Sequence, residues 1–330
     1  MTPEPAEPAQ PSATLPAAGL LLIVNPSAAG GRTLRRLSAV EAALAALGVP
    51  VETALTRSLE HADELVAQAA AAGQVAVAYG GDGLLGRVAG AASTCGAVVA
   101  ALPGGRGNDF LRTLGVGADP VAAAAALADA VERRLDLGVA NGRHFVGIAS
   151  VGYDSDVQVL ANRTRFIRGA PVYTYAALRT LLTWKPCRFT VEIDGEPVPH
   201  IGWSVAAGNA QYYGGGMRYA PTASLTDGAL DVILAAESSR PHFLTQLPRV
   251  FSGRHIDDGH VTVRRARRLS VDAERPFQLY ADGDPIADLP AVIEIQPGAL
   301  RMLIGRYAKS IAPRAVPGIS NADGQNPHKY

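Results

Sequence analysis

From Gly19 to about Leu137 the chain alternates short apolar runs with amphipathic, alanine-rich stretches, and this alternation restricts the fold more than any other feature. The order is GLLLIV, a helical stretch to Leu47, VPVETALT, a helix to Ala72, QVAVAY, a short helix, AVVAALP, and an Ala-rich helix expected to run to Arg134. Strands that alternate with helices predict a parallel sheet with helices on its faces. Such sheets bind ligands at the carboxyl ends of their strands. Three glycine-rich loops fall there: NPSAAGG after Val24, GGDG after Tyr79 and GGRGND after Pro103.

Beyond Leu137 the texture changes to segments with period-two alternation, among them CRFTVEIDG, HIGWSVAAGN, GALDVILAA, FQLYADGD and AVIEIQPGALRMLI. These predict a β-sandwich as the second domain. Helical patterns interrupt it near Val172 to Trp184 and Pro241 to Gly253. The expected organisation is a disordered tail over 1–18, an α/β domain over 19–137, a β-rich domain over 138–308 and a second tail over 309–330.

Composition narrows the classes of function. Thirty basic and thirty acidic residues cancel, so no global charge argues for nucleic acid. Cys95 and Cys187 stand alone, without C-x-x-C spacing or a neighbouring His, which argues against a zinc site or a disulfide framework and fits a reducing cytoplasm. The first eighteen residues carry five prolines and acidic Glu4 and Glu7, unlike a signal peptide. The longest apolar runs fall well short of the roughly 18 residues that a spanning helix needs.

Glycines at a strand-to-helix junction let backbone N–H groups approach an anion at the positive end of the helix dipole. The three loops therefore suit phosphate. Gly81-Asp-Gly83-Leu-Leu-Gly86 also satisfies the G-x-G-x-x-G dinucleotide pattern. That fingerprint belongs on a first strand, with an acidic residue ending the next one, whereas here the next strand ends in Pro103-Gly104-Gly105. Asp82 is the sharper clue, since a carboxylate repels phosphate unless a cation stands between them. A Mg²⁺ ion would bridge the two, and Asp109, at the adjacent strand end, could share it. The alternative is that both aspartates only cap helices.

NPSAAGG, GGDG, PGGRGNDFLR, SVGYDSDV, YYGGGMRYAPTASLTDGALDV and LYADGDP occur in the order and spacing of the diacylglycerol kinase catalytic-domain family, and over about Leu20 to Leu303 the chain resembles these bacterial lipid kinases, relatives of sphingosine kinases. The resemblance implies an ATP-binding α/β domain, a β-sandwich lipid domain, and ATP with Mg²⁺ in the cleft between them. Carried over by position, it implies that Asn25, Ser27, Gly80, Gly81, Gly83, Gly104, Gly105, Arg106 and Asn108 meet the nucleotide. Asp82 and Asp109 would work with Mg²⁺, and Asp227 would hold a structural Mg²⁺. Asp284 would be the general base for a lipid hydroxyl, supported by Asp282.

The chain departs from the family pattern at Leu84, Gly86 and Arg87, where Thr and an Asn-Glu pair are frequent, and at Arg106, where Thr is frequent. Arg106 could supply charge-assisted bonds to phosphate instead. The basic run Arg264 to Arg268, and Arg163, Arg165 and Arg168 around Phe166, suit either anionic lipid head groups or a solvated face. The implied activity is transfer of the γ-phosphate of ATP to a lipid hydroxyl, diacylglycerol first, by a cytoplasmic protein visiting the inner membrane face, with a homodimer compatible. A sphingoid-base or other lipid kinase, a metabolite kinase of the NAD-kinase type, and a non-catalytic nucleotide-binding protein are the competing readings. A second D-G-E-like turn, Asp194 to Glu196, echoes the catalytic one and is expected to be a plain hairpin turn.

Overall fold

The computed structural model describes residues 14–164 and 171–305. Most of the expected N-terminal tail, all of the C-terminal one, and Arg165, Phe166 and Arg168 lie outside these residues. The first part of the chain forms β1 (Leu20–Val24), α1 (Arg32–Arg35), α2 (Leu37–Ala45), β2 (Val51–Leu55), α3 (Leu59–Ala72), β3 (Val75–Gly80), α4 (Asp82–Cys95), β4 (Val98–Pro103), α5 (Asp109–Thr113) and α6 (Pro120–Ala125). Strands β2, β1, β3 and β4 lie side by side in parallel, as the alternation predicts. Residues of β1 and β3 are buried throughout, because helices cover both faces of the sheet. Local chemistry sets the helix ends. Ser58 caps α3 by accepting from His61 N–H, and Gly73 and Gly96 close α3 and α4 with left-handed φ values of 68° and 73°.

One boundary differs from expectation. The helix predicted to reach Arg134 stops at Ala125 and continues as a 3-10 turn to Asp129, after which β5 (Ala130–Ala140) begins. Leu135 and Leu137 are buried in β5, and pairing with a distant strand overrides the helix propensity of the Ala/Arg-rich segment.

The remainder comprises β6 (Arg143–Phe145), β7 (Ile148–Gly152), α7 (Tyr153–Arg163), α8 (Pro171–Leu181), β8 (Cys187–Ile193), β9 (Glu196–Gly208), β10 (Leu230–Ala236), α9 (Arg240–Phe251), β11 (Val261–Ala266), β12 (Arg268–Ala273), β13 (Gln278–Ala281), β14 (Asp284–Asp288) and β15 (Ala291–Gly305). Strand β9 changes partners along its length. Its first half pairs with β8, and its second half lies between β7 and β10, which lets the sheet fold over itself into the sandwich. The core between the layers holds Trp203, Phe189, Trp184, Leu269 and Leu279, and Trp184 and Trp203 stack with centroids 5.4 Å apart.

A two-strand ribbon ties the domains together. Strand β15 pairs with β12 through Ala291 to Glu294, then shifts register near Pro297-Gly298, and its far end (Arg301, Met302) joins β4 in parallel. Strand β5 follows β15 antiparallel from Ala130 to Ala140. Strand β5 leads through its hairpin partner β6 to Arg143, whose side chain reaches the carbonyls of Pro285 and Ile286 in β14.

Candidate active site

The first wall of the site is made by two loops packed backbone on backbone. Gly104 N–H donates to Gly80 O at 2.8 Å. A Cβ added to Gly105 would lie 2.5 Å from Gly81 Cα, and one added to Gly104 would lie 3.0 Å from Gly80 Cα. These glycines are therefore required by loop-to-loop contact, a constraint the phosphate argument alone does not contain. Asn108 takes a left-handed φ of 50° and accepts Gly105 N–H at 2.8 Å. Asn25 accepts both the N–H and the hydroxyl of Ser27, at 3.0 and 2.8 Å, which turns the loop after β1 beside Gly80. Arg106 is exposed at the tip of its loop.

Asp82 and Asp109 are each the first residue of a helix, with Gly81 and Asn108 in the capping positions before them. Asp82 Oδ1 accepts the N–H of Phe110 at 3.1 Å, so it braces α5 and not its own helix. Asp109 Oδ2 accepts Gly215 N–H at 2.7 Å, reaching a glycine loop of the second domain. Asp109 Oδ1 is buried and accepts no hydrogen bond. Burial raises both carboxyls, Asp109 to about 6 with a further push from the charge of Asp82. A Cβ at Gly107 would sit 3.0 Å from Asp109 Oδ2 and 3.4 Å from Asp82 Oδ2, so both groups border one space. A buried oxygen without a hydrogen bond, faced only by Arg112 Nε at 3.8 Å, and two crowded carboxylates fit a divalent cation. Two carboxylates leave the rest of a Mg²⁺ shell to phosphate oxygens and water, the usual arrangement for that ion.

The second wall is the β13–β14 turn. Asp282 and Gly283 have φ of 53° and 92°, the backbone of a two-residue hairpin. Asp282 accepts Val146 N–H and Gly147 N–H, both at 2.8 Å. Its carboxyl rises to about 7, first through burial and then through the charges of Asp82 and Asp284. Asp284 is raised as well, by burial, with Arg143 opposing. The turn faces the first turns of α4: a Cβ on Gly86 would lie 2.9 Å from Asp282 Oδ2, and one on Gly83 would lie 2.8 Å from Asp284 Oδ2. Gly86, one of the departures from the family pattern, thus makes room for Asp282. Leu84 is buried against Gly80, and Arg87 is held by Asp63 through two bonds of 2.8 and 2.5 Å. A cleft of about 500 Å³ runs along α4 from Asp282 and Asp284 past Gly90 toward Cys95.

Three contributors were not visible in the sequence. Arg143 Nη1 donates to the carbonyls of Pro285 and Ile286 at 3.2 and 3.3 Å and so holds the turn. The N–H groups of Val146 and Gly147 orient Asp282, and Asn209 secures that segment through Val146 O at 2.8 Å. These partners lie more than sixty residues from what they hold, and no local motif marks them.

Residues 19–140 match the diacylglycerol kinase catalytic domain, and residues 147–304 match the YegS C-terminal NAD kinase beta sandwich-like domain. The chain is 32% identical over 293 residues to a diacylglycerol kinase of Mycobacterium tuberculosis, covering 86% of this chain and 94% of that one. The chain belongs to the diacylglycerol kinase and YegS-like lipid kinase family. A probable lipid kinase YegS-like protein of Pseudomonas fluorescens is 33% identical over 294 residues, with the same coverage of both chains. The fold agrees with the crystal structure of a diacylglycerol kinase from Bacillus anthracis, with a TM-score of 0.70 over 88% of this chain and 98% of that one at 22% identity.

Not every residue carried over from the family joins this site. Asp227 stands beside β10 and β11, where its carboxylate is ion-paired with Arg265 Nη2 and accepts Ala229 N–H at 3.1 Å. Arg265 Nε also lies 3.5 Å from Asp231 Oδ1. The guanidinium supplies the positive charge that the resemblance assigns to an ion, so the donor set at this corner does not fit an added Mg²⁺. Within the same basic run Arg264 pairs with Glu196 and Arg268 with Glu294. Among the described residues no helix is long and apolar enough to cross a membrane.

Proposed function

We propose that the protein transfers the γ-phosphate of ATP to a lipid hydroxyl, with diacylglycerol as the acceptor and phosphatidic acid as the product. The observation that carries this reading is the meeting of two walls from different domains. Asp282 and Asp284 on the β13–β14 turn abut Gly83 and Gly86, directly after Asp82 at the start of α4. In such a site the phosphate chain lies along the glycine loops with Asn25, Ser27, Asn108 and Arg106 at hand. Asp82 and Asp109 would hold Mg²⁺, which when bound neutralises phosphate charge. Asp284, exposed at the mouth of the cleft, takes the proton of the acceptor hydroxyl, and Asp282 keeps the turn in register. Phosphoryl transfer asks the protein mainly for positioning and electrostatic stabilisation, and this apparatus supplies both. The cleft beside Asp284 receives the acceptor head group, and the protein works at the inner membrane surface from the cytoplasm.

The test is transfer of radiolabel from ATP into a total lipid extract with Mg²⁺, with NAD present as a competing acceptor. Label in phosphatidic acid is expected. Label in another lipid would move the acceptor to a sphingoid base or a different alcohol. Label in the nucleotide fraction, or none, would overturn the reading in favour of a metabolite kinase or a nucleotide-binding protein without activity.

A further inference from the structure

Away from the cleft, His242, Asp258 and His260 bring three potential ligand atoms within 4.8 Å of one another. His242 is in the first turn of α9, whereas Asp258, sixteen residues later, and His260 lie just before β11, so the cluster joins the two elements. We propose that it is a binding site for a borderline transition-metal dication of the Zn²⁺ type, distinct from the Mg²⁺ site of the kinase reading.

The geometry is close to what such an ion needs. His242 Nε2 lies 3.0 Å from Asp258 Oδ2, and His260 Nδ1 lies 3.0 Å from Asp258 Oδ1. Two ligand atoms on a tetrahedral ion with bonds of ~2.0–2.1 Å are about 3.3 Å apart, so a small outward movement of each ring admits the metal. Two imidazoles and one carboxylate suit Zn²⁺, Co²⁺ or Ni²⁺ far better than Mg²⁺, which prefers oxygen. Binding requires each neutral ring to carry its proton on the outer nitrogen, Nδ1 of His242 and Nε2 of His260, so that the inner lone pairs face the ion. Water completes the shell.

The backbone holds the ligands in place. Asp258 N–H donates to His255 O at 3.1 Å, Val261 N–H donates to Asp258 O at 3.0 Å, and Ala236 N–H donates to His260 O at 2.7 Å. His260 N–H also donates to Asp258 Oδ1 at 3.0 Å. The Asp258 side chain is only 9% exposed, whereas the two rings are 35% and 48% exposed, which leaves a path for an ion from solvent. One charged neighbour opposes binding: Arg249 Nη1 is 3.9 Å from Asp258 Oδ2 while bonding Gln246 at 3.0 Å. An occupied site would staple the start of α9 to β11. Phe243, next to His242, stacks on Trp203 with centroids 4.2 Å apart, so the staple would also fix the helix on the aromatic core of the second domain.

The experiment uses tag-free, full-length protein stripped with chelator and titrated with Co²⁺, then with Zn²⁺ in competition. One equivalent should bind with micromolar or tighter affinity, give the visible absorption of four- or five-coordinate Co²⁺, and raise the melting temperature. Loss of an outer-shell partner costs ~10–100-fold in metal affinity, so His242→Ala and His260→Ala, checked for folding by circular dichroism, should each cost more than that. Arg249→Gln should tighten binding several-fold by removing the opposing charge. Affinity no better than millimolar, or affinity that His260→Ala leaves unchanged in a folded protein, would overturn the proposal and leave the cluster as an ion-paired surface latch. Neither result depends on kinase activity, so the test stands apart from the assay of the proposed function.

Discussion

Two Asp-Gly turns in this chain share a backbone and differ in everything around it. Asp194-Gly195 joins β8 to β9 with φ values of 50° and 87°, and Asp282-Gly283 joins β13 to β14 with 53° and 92°. Both are two-residue hairpins in which Asp tolerates the left-handed region. At the first turn nothing lies within 4 Å of a Cβ on Gly195, and Asp194 accepts the N–H groups of Arg267 and Arg268 at 2.9 and 2.8 Å on an exposed edge. At the second the carboxylates press on α4 opposite Gly83 and Gly86, within reach of the charge of Asp82. Local sequence makes the turn, and placement in the fold makes it a candidate for chemistry. The first turn is even the better D-G-E match, with Glu196 where the second has Asp284.

The largest effect should come from the wall that the second turn faces and the first does not. Asp82→Asn keeps the side-chain oxygen that accepts Phe110 N–H but removes the charge that would hold Mg²⁺. Loss of one electrostatic contact to a transition state costs up to roughly 10³ in kcat, and a drop of that size is expected with the melting temperature nearly unchanged. Near-wild-type turnover at saturating Mg²⁺ would remove Asp82 from the mechanism. Next in size is the base. A general base contributes roughly 10²–10⁴, and the loose transition state of phosphoryl transfer favours the lower end. Asp284→Asn should therefore lower kcat about a hundredfold with KM for ATP little changed. If Glu196→Gln were the crippled variant instead, the two turns would have to exchange roles.

Gly86→Ala sharpens the contrast without replacing a carboxylate. The new Cβ would fall 2.9 Å from Asp282 Oδ2, and that oxygen cannot swing freely because Val146 N–H holds it at 2.8 Å. Alanine also gains ~1 kcal/mol of helix propensity over glycine, which offsets the crowding in stability. The expected result is about a tenfold loss of kcat, since a small misplacement of a reacting geometry is costly, at a nearly constant melting temperature. The matching change in the other turn, Gly195→Ala, meets no neighbour but forces a Cβ onto a φ of 87°, so it should cost about 1 kcal/mol in stability and no activity. Kinetics and thermal melts on the pair check both halves.

How much of this could be read from residues alone follows the range of the interactions. The parallel sheet, the three glycine loops and both Asp-Gly turns are local patterns, and the structure has them where the pattern placed them. The ribbon of β5 and β15 pairs residues about 150–175 positions apart, and nothing in the Ala/Arg texture before Leu135 announces a strand. Arg265 looked like one charge in a basic run, yet it is half of an ion pair with Asp227, thirty-eight positions earlier. Phosphate approach explains small residues in the two loops, but the tightest constraint on Gly81 and Gly105 is each other's backbone.

A pH test follows from the same difference in surroundings. Asp282 is raised to about 7, mainly by burial, above the ordinary carboxyl value of about 4. The folded state then binds that proton more tightly than the unfolded chain, so the contribution to stability is present below about pH 4 and is lost as pH rises toward 7. Asp282→Asn cannot ionise. Measured without Mg²⁺, its melting temperature relative to wild type should improve between about pH 5 and 8. A constant difference across that range would mean that Asp282 is not raised.

The smallest effects belong to the turn that the fold leaves at the edge. Glu196 pairs with Arg264 at 3.2 Å, but the two side chains are 72% and 41% exposed, and such surface pairs contribute about 0–1 kcal/mol. Glu196→Gln should leave kcat and KM within about twofold and move the melting temperature by about a degree or less. Asp194→Ala removes the acceptor for two backbone N–H groups and puts alanine on a left-handed φ, so about 1–2 kcal/mol of stability should go, again with kinetics unchanged. The two variants separate the hairpin from the chemistry. Asp194 serves the fold through hydrogen bonds that solvent can partly replace, whereas Asp282 makes the same kind of bond to Val146 and Gly147 in a place where α4 and the Asp82 charge give its carboxylate further consequences. A loss of activity in Asp194→Ala larger than its loss of stability explains would tie the first turn to the cleft and end the comparison.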